Sequence, residues 1–557
     1  MAGVLLSQFL RFARWALSPE PADGPGRLWP RWLFLRALGL ICFSAFYSLL
    51  FQIVGLIGPD GILPASRFLQ QLPASLGWIR YWYAPTLLWF GSGPGALKAL
   101  CWAGLLASIL LFLNIWPRAA IAVCLISYLS FVAAAQDFSS YQSDGMLLAA
   151  CFLSLFFAPP GLLPGLGESH PPSRASLFLL QWLWFRIYFE SGVVKMASGE
   201  PEWRHLTALY DYYSNGPLPD WIGWYAQHLP HWVNGALAFT TLGMELVLVW
   251  LFFLPRPFRI LCFFLVTPFQ IGIILTANLA FLNYFVLSFG ILLLDDRFLR
   301  AAFRWLKRVR SGREGEHHGR AFAIVSLWWS SPIRVNTAGA FETNPVSASW
   351  WRHALRAVST AGTGVILGWI FYVDTALLLL MLFPALPLPA SPIEALEPFR
   401  IANQYGLFAV MTRARYEIEF QGSRDGKTWV AYPFRYKPQD PHEAPRIYAP
   451  YQPRFDWNLW FASLGTVRQY PFVLRTEALL LSNDSSVLSL FAGNPFDRQP
   501  PTMVRAVVWQ YWFTSAKTLR TEGLWWRRKL LGLYAPVVER LPDGRIGIVQ
   551  QPEFANP

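Results

Sequence analysis

Charged residues are scarce in this chain, 14% of 557 positions against roughly 25% in soluble domains. With 54% hydrophobic residues, that deficit excludes an ordinary water-soluble globular protein and points to one that lives in a bilayer. Cysteine is nearly absent. Cys42, Cys101, Cys124, Cys151 and Cys262 each lie inside an apolar run and none forms a C-x-x-C, so the chain does no thiol–disulfide chemistry of its own. Gly-x-Ser-x-Gly, a P-loop, a dinucleotide glycine pattern and His-Glu-x-x-His are all missing. "SRDG" at 423–426 is turn chemistry and not a calcium loop. Residues 1–30 lack the short apolar core and small-residue cleavage site of a removable signal peptide, and no repeat is evident.

What is present is aromatic and basic. Twenty-eight tryptophans suit a membrane–water interface, and the net charge of +13 is spread between apolar runs. That spacing belongs to membrane orientation and excludes a nucleic-acid-binding face. Apolar runs at 33–57, 96–116, 119–136, 145–163, 176–195, 233–254, 258–277, 279–295 and 361–387 read as about nine spans. The aromatic stretch 74–90, with Arg80 and Pro85, reads as a short interfacial or re-entrant piece. Arg11, Arg14, Arg27 and Arg31 put an N-terminal segment, 1–31, in the cytoplasm, and the basic segment 297–360 belongs there too. The eight runs between them return the chain to the same side, so the two assignments agree. The helical transmembrane domain then covers 32–296, with an outer loop at 196–232, and the last span, 361–387, delivers 388–530 to the outer side.

That outer region changes character. "RYEIEFQGSRDGKTWVAYPF" (415–434) alternates polar and apolar residues on either side of a turn, which predicts a hairpin, and "MVRAVVWQYWF" (503–513) predicts a strand. "FDWNLWFASL" (455–464) predicts a short amphipathic helix, and 531–557 reads as a tail. The expected architecture is a polytopic α-helical membrane protein carrying a mostly-β, sandwich-like extracytoplasmic domain.

Charge inside the spans marks candidate sites. Arg186 and Glu190, four residues apart, share a helix face. Lys195 lies about 140° round the helix from Glu190, within reach only if the helix distorts at Gly192. Two readings stand: a structural pair with Lys195 snorkelling to the headgroups, or three groups lining an outward-facing cavity. Glu245 needs a partner and has Arg186, Lys195 or neighbouring hydroxyls to choose from. Asn278 and Asn283 read as interhelical hydrogen-bond glue, and Asp295 with Asp296 as a solvated interfacial cluster. The loop 196–232 reads as an aromatic lid able to dock a partner, with Trp203, His205, Tyr212, Trp224 and His228 as contact candidates. In the outer domain the candidates are Tyr405, Arg413, Arg415, Arg454 and Trp457. His228 and His231 have metal-ligand spacing but no third ligand, so neither a metal nor a cofactor is expected.

Several long stretches resemble the lipase maturation factor family: 208–230, ending "WIGWYAQHLP"; 270–296, "QIGIILTANLAFLNYFVLSFGILLLDD"; 403–429; "APYQPRFDWNLWFASL" (449–464); and "NPFDRQPPTMVRAVVWQYWFT" (494–514). The resemblance implies a multi-pass protein with a C-terminal domain outside the cytoplasm that assists folding and secretion of exported clients, lipases first. Its partners would be exported proteins and membrane lipids, with no nucleic acid. In eukaryotes such proteins work in the endoplasmic reticulum membrane. Here the outer segments carry no cysteine and the tail "QPEFANP" has no retention signal, which favours a bacterial inner membrane. "YFESGVVKMASGEPEWRHLTAL" is more distantly similar to the transmembrane domain of vitamin K-dependent carboxylase-like proteins. That similarity implies an alternative, a membrane enzyme acting on a lipid or peptide with Lys195 as base and Glu190, Arg186 and Glu245 around it. A lipid-binding or transport protein is a further alternative. No histidine precedes His170 to match that family's earlier catalytic histidine.

Overall fold

A computed structural model describes residues 2–21, 24–310 and 350–552. Each apolar run forms a helix. An N-terminal helix α1 (Ala2–Leu17) is followed by α2 (Leu28–Leu50), α3 (Pro94–Phe112), α4 (Pro117–Val132), α5 (Gln142–Phe157) and α6 (Arg174–Ala197). Next come α7 (His231–Leu246), prolonged by a 3-10 turn to Phe253, then α8 (Arg256–Thr276), α9 (Leu282–Gly290), the basic α10 (Asp296–Arg310) and α11 (Trp350–Leu382). Pro94 and Pro117 open their helices, where a missing N–H costs nothing. The stretch 74–90 breaks into short turns that leave Trp78, Tyr83 and Phe90 exposed. Most of the basic segment expected at 297–360 lies outside the described residues.

Five segments are long and apolar enough to cross a bilayer: Leu28–Leu50, Pro94–Phe112, His231–Phe253, Arg256–Thr276 and Ala357–Leu382. The protein is therefore polytopic. α4 and α5, at 16 residues, reach only about 24 Å, short of the ~30 Å hydrocarbon layer. α6 has the length, 24 residues, but carries Arg186, Glu190 and Lys195.

The loops sort to two ends. At one end Arg27 Nη1 donates to Leu294 O (2.7 Å), Arg31 Nη1 to His170 O (2.6 Å) and Asn114 Nδ2 to Gly165 O (2.7 Å), while Arg256 pairs with Asp295 (2.6 Å). At the other end every connection grips the C-terminal region. Gln52 Oε1 accepts from Arg454 N (2.7 Å), Asp144 pairs with Arg454 (2.8 Å), Lys195 donates to Leu407 O (2.9 Å) and Asn278 Nδ2 to Arg446 O (2.7 Å). Asn278 Oδ1 also accepts from Tyr448 N (2.7 Å), so this residue anchors the C-terminal region, while Asn283 does join helices through Gln270 on α8. Asp295 and Asp296 are buried, against the expectation of a solvated cluster. Asp296 accepts from the main-chain N–H groups of Leu28 and Trp29, closing the start of α2.

The C-terminal region holds one antiparallel sheet. Its strands are β1 (Arg415–Ser423), β2 (Val430–Ala431), β3 (Met503–Phe513), β4 (Trp526–Leu533), β5 (Val537–Arg540) and β6 (Ile546–Gln550), in the order β2-β1-β3-β5-β6. β3 pairs with β1 along its length (Arg415↔Tyr511 to Ser423↔Met503). Its other edge is shared by β5 at the start and β4 at the end. The hairpin and the 503–513 strand are where the sequence puts them. Among the described residues no second sheet faces this one to make a sandwich; helices α12 (Arg454–Ser463) and α13 (Phe472–Leu481) cover it instead. Phe420 of β1 meets Phe455 and Phe491 at ring separations of 6.5 and 6.0 Å. α12 was expected to be amphipathic and is instead buried nearly all round, because the sheet lies on one side and the 136–141 connection with the start of α5 on the other. The sheet also runs past residue 530, through β5 and β6, where a tail was expected.

Candidate functional site

α6 carries two separate ionic clusters. Arg186, fully buried, donates from Nε to Glu190 Oε1 (2.7 Å), pairs with Asp374 on α11, and donates from Nη2 to Asn403 O (2.5 Å). Glu190 Oε2 accepts from Tyr405 N (2.7 Å), and the Tyr405 ring lies 5.4 Å from the guanidinium. One cation thus ties α6, α11 and the first residues of the C-terminal region together. Asp374 was not singled out in the sequence.

Lys195 does not snorkel. It is 2% exposed, and its ammonium donates to Glu245 on α7 (2.9 Å), to Leu407 O (2.9 Å) and more distantly to Ser191 O (3.4 Å). The Trp203 ring lies 5.1 Å away and its Nε1 donates to Phe408 O (3.0 Å). Of the partners open to Glu245, the structure selects Lys195. Gly192 acts differently from expectation. α6 continues unbroken to Ala197, and a Cβ on Gly192 would meet Leu246 and Glu245 at 2.8–2.9 Å, so its missing side chain lets α7 close on α6.

Beside this pair lies a cavity of about 530 Å³. Lys195, Glu245, Trp203 and Tyr212 line it, whereas Arg186 and Glu190 do not. The four ionisable candidates therefore divide into a structural joint and a cavity wall.

The lid folds into short helices at Pro201–Arg204, Tyr212–Asn215 and Trp221–Gln227. Trp203, Tyr213 and Trp224 turn inward, while Trp221, Tyr225, Leu229 and Trp232 stay exposed. His205 and Arg413 are exposed, Arg413 pairing with Glu202 (3.0 Å). His228 places Nδ1 at 2.7 Å from Trp224 O and Nε2 at 2.9 Å from Thr514 O, so both ring nitrogens face carbonyls. Among the described residues no three His, Cys, Asp or Glu side chains gather as a metal site. Tyr405, Arg415, Arg454 and Trp457 are buried and hold elements together. Arg415 pairs with Glu417 and donates to Ser214 O and Pro217 O (both 3.2 Å), stapling β1 to the lid. Arg454 grips Asp144 with both Nη atoms at 2.8 Å.

Burial pushes two carboxyls of the 196–232 loop and the C-terminal region upward: Asp456 to about 7 and Asp220, which caps the Trp221–Gln227 helix, to about 6. Each is protonated more readily folded than unfolded, where an aspartate titrates near 3.9. Their contribution is fully present below about pH 4 and is lost as pH rises through about 6–7. Thermal unfolding of the purified protein at pH 5 and pH 8 checks this. Asp456→Asn is expected to narrow the difference between the two, and an unchanged difference would refute the assignment.

The chain matches two family models, the lipase maturation factor transmembrane domain over residues 29–301 and the lipase maturation factor C-terminal domain over 401–536. Lipase maturation factor 2 of Homo sapiens is 32% identical, the alignment covering 91% of this chain and 82% of that protein. Lipase maturation factor 2 of Gallus gallus is 31% identical over 91% and 81%. Lipase maturation factor 1 of Mus musculus is 30% identical over 95% and 91%. No solved structure matches.

Proposed function

Since the chain belongs to the lipase maturation factor family, we propose that it is a membrane-anchored maturation factor that assists folding or assembly of exported lipases. The observation that carries this reading is that both family models fall on one chain, in order and over most of its length. The geometry supports a platform. Buried ion pairs and carbonyl contacts from Gln52, Asp144, Arg186, Lys195 and Asn278 hold the C-terminal region rigidly on one end of the bundle.

In this reading α2 to α9 and α11 form nine spans, the shorter ones shielded inside the bundle. The N-terminus is cytoplasmic and the C-terminal region faces the exported side. The positive segments and the segregation of loop contacts to two ends both support that orientation. The client meets side chains left free, foremost Trp221, Tyr225, Leu229 and Trp232 of the lid. It also has the edge strand β6, whose Ile546, Ile548 and Val549 are exposed and whose outer edge has no partner strand among the described residues. Lys195 serves as a joint between α6, α7 and Leu407.

Substituting both members of that joint separates maturation from catalysis. Lys195→Met with Glu245→Leu removes the charges together, sparing the unpaired carboxylate that Lys195→Met alone would bury. Cells secreting a co-expressed lipase are expected to keep wild-type lipase activity per unit lipase polypeptide with the double variant. Loss of that activity, with the variant inserted and melting as wild type, would instead support an enzyme using Lys195.

A further inference from the structure

The cavity beside Lys195 has the features of a lipid site. Ile187, Leu209, Met244, Leu265, Phe269 and Ile273 give it apolar walls. Its lining also includes exposed residues on two helices, Leu237 and Thr240 on α7 and Pro268 and Gly272 on α8, so it opens between them. Both helices are long and apolar enough to cross a bilayer and are mostly uncovered by the rest of the protein, which turns the opening toward acyl chains. Pro268, inside α8, cannot donate the hydrogen bond of its turn, the usual cause of a local bend away from a neighbour.

The polar atoms in the wall specify the headgroup. Asn283 Nδ2 donates to Gln270 Oε1 (2.8 Å), and Gln270 Nε2 donates to the Tyr188 hydroxyl (2.7 Å). All three residues line the cavity, and Asn283 Oδ1, on a side chain more than nine-tenths buried, has no donor among the described residues. A buried acceptor left unpaired is costly, so this one calls for a ligand N–H or O–H. The charge in the wall is already balanced. The three protons of Lys195 go to Glu245, Leu407 O and Ser191 O, leaving no free cation among the described lining residues for a carboxylate or phosphate. A volume of about 530 Å³ lies in the range of sites for single compact ligands, which favours one acyl chain over a two-chain phospholipid.

We propose that this cavity is a binding site for a neutral single-chain lipid with a hydroxyl headgroup. The lipid enters from the bilayer between α7 and α8 and gives a hydrogen bond to Asn283. The site depends on these helices being in the membrane and is independent of the client reading.

The test uses the full-length protein in lipid nanodiscs with a photoreactive monooleoylglycerol as probe. Crosslinks are expected on 231–246 and 256–276, competed by unlabelled monooleoylglycerol and not by oleate or lysophosphatidylcholine. Gly272→Trp grows a side chain into open space, since a Cβ there meets nothing within 4 Å, so the fold is kept and labelling should be lost. Asn283→Leu is expected to raise the competing concentration of monooleoylglycerol about tenfold. Crosslinks spread evenly over every lipid-facing helix, labelling unchanged by Gly272→Trp, or better competition by oleate would each overturn the proposal.

Discussion

Replacing Arg454 with methionine is expected to cost about 3–5 kcal/mol of stability, because it strands a fully buried carboxylate. Arg454 is itself fully buried, holds Asp144 bidentately at 2.8 Å, and donates further to the Tyr128 hydroxyl (2.8 Å) and Phe138 O (2.7 Å). Without it, Asp144 keeps, among the described residues, the Tyr128 hydroxyl at 2.7 Å. The partners lie 310 positions apart, one on α12 and one at the start of α5, so the loss falls on the docking of the C-terminal region. Thermal unfolding together with protease sensitivity between the bundle and the sheet measures it. A companion Asp144→Leu change should recover most of the loss, since removing both charges removes the unpaired one. If the double variant is as damaged as Arg454→Met, the pair is not the joint described here.

Arg186→Met is expected to be at least as severe. One guanidinium stands between Glu190 and Asp374 and also donates to Asn403 O, so its removal leaves two acidic groups facing each other without a cation. We expect a loss of about 3–5 kcal/mol or more, seen as failure to accumulate in the membrane. Asp374→Asn keeps a polar partner and leaves Arg186–Glu190 as a balanced pair, so it should be much milder. Comparable expression of the two variants would contradict this order.

The sequence makes some of this visible. The i,i+4 spacing of Arg186 and Glu190 predicts their pairing, and Lys195 was among the partners open to Glu245, because unpaired charge in an apolar run must find its opposite. β3 and the 415–434 hairpin are legible from alternation. Asp374 is the lone acid of its apolar run, and that isolation marks a charge that must find a buried partner. "VVERLPDGRIGIVQ" (537–550) carries a Pro-Asp-Gly turn between two β-rich segments, which marks β5 and β6. Arg454 with Asp144 was illegible, because nothing local couples residues so far apart. The same limit hid the Asn283–Gln270–Tyr188 chain and the cavity, which exist only once α6, α7, α8 and α9 are packed. The stretch 455–464 looks amphipathic because its polar residues suggest a wet face, yet α12 is packed between the sheet and the start of α5, a contact that sequence order cannot place.

These joints make one body of the helical bundle and the C-terminal sheet, a suitable platform for a client still folding. The most direct test is the activity per unit polypeptide of a secreted lipase in cells with and without this protein. A maturation factor predicts a clear rise when the intact protein is present, lost with Arg454→Met and regained with the Arg454→Met, Asp144→Leu pair. Lipase of the same specific activity and amount whether or not the protein is in the membrane would contradict the account.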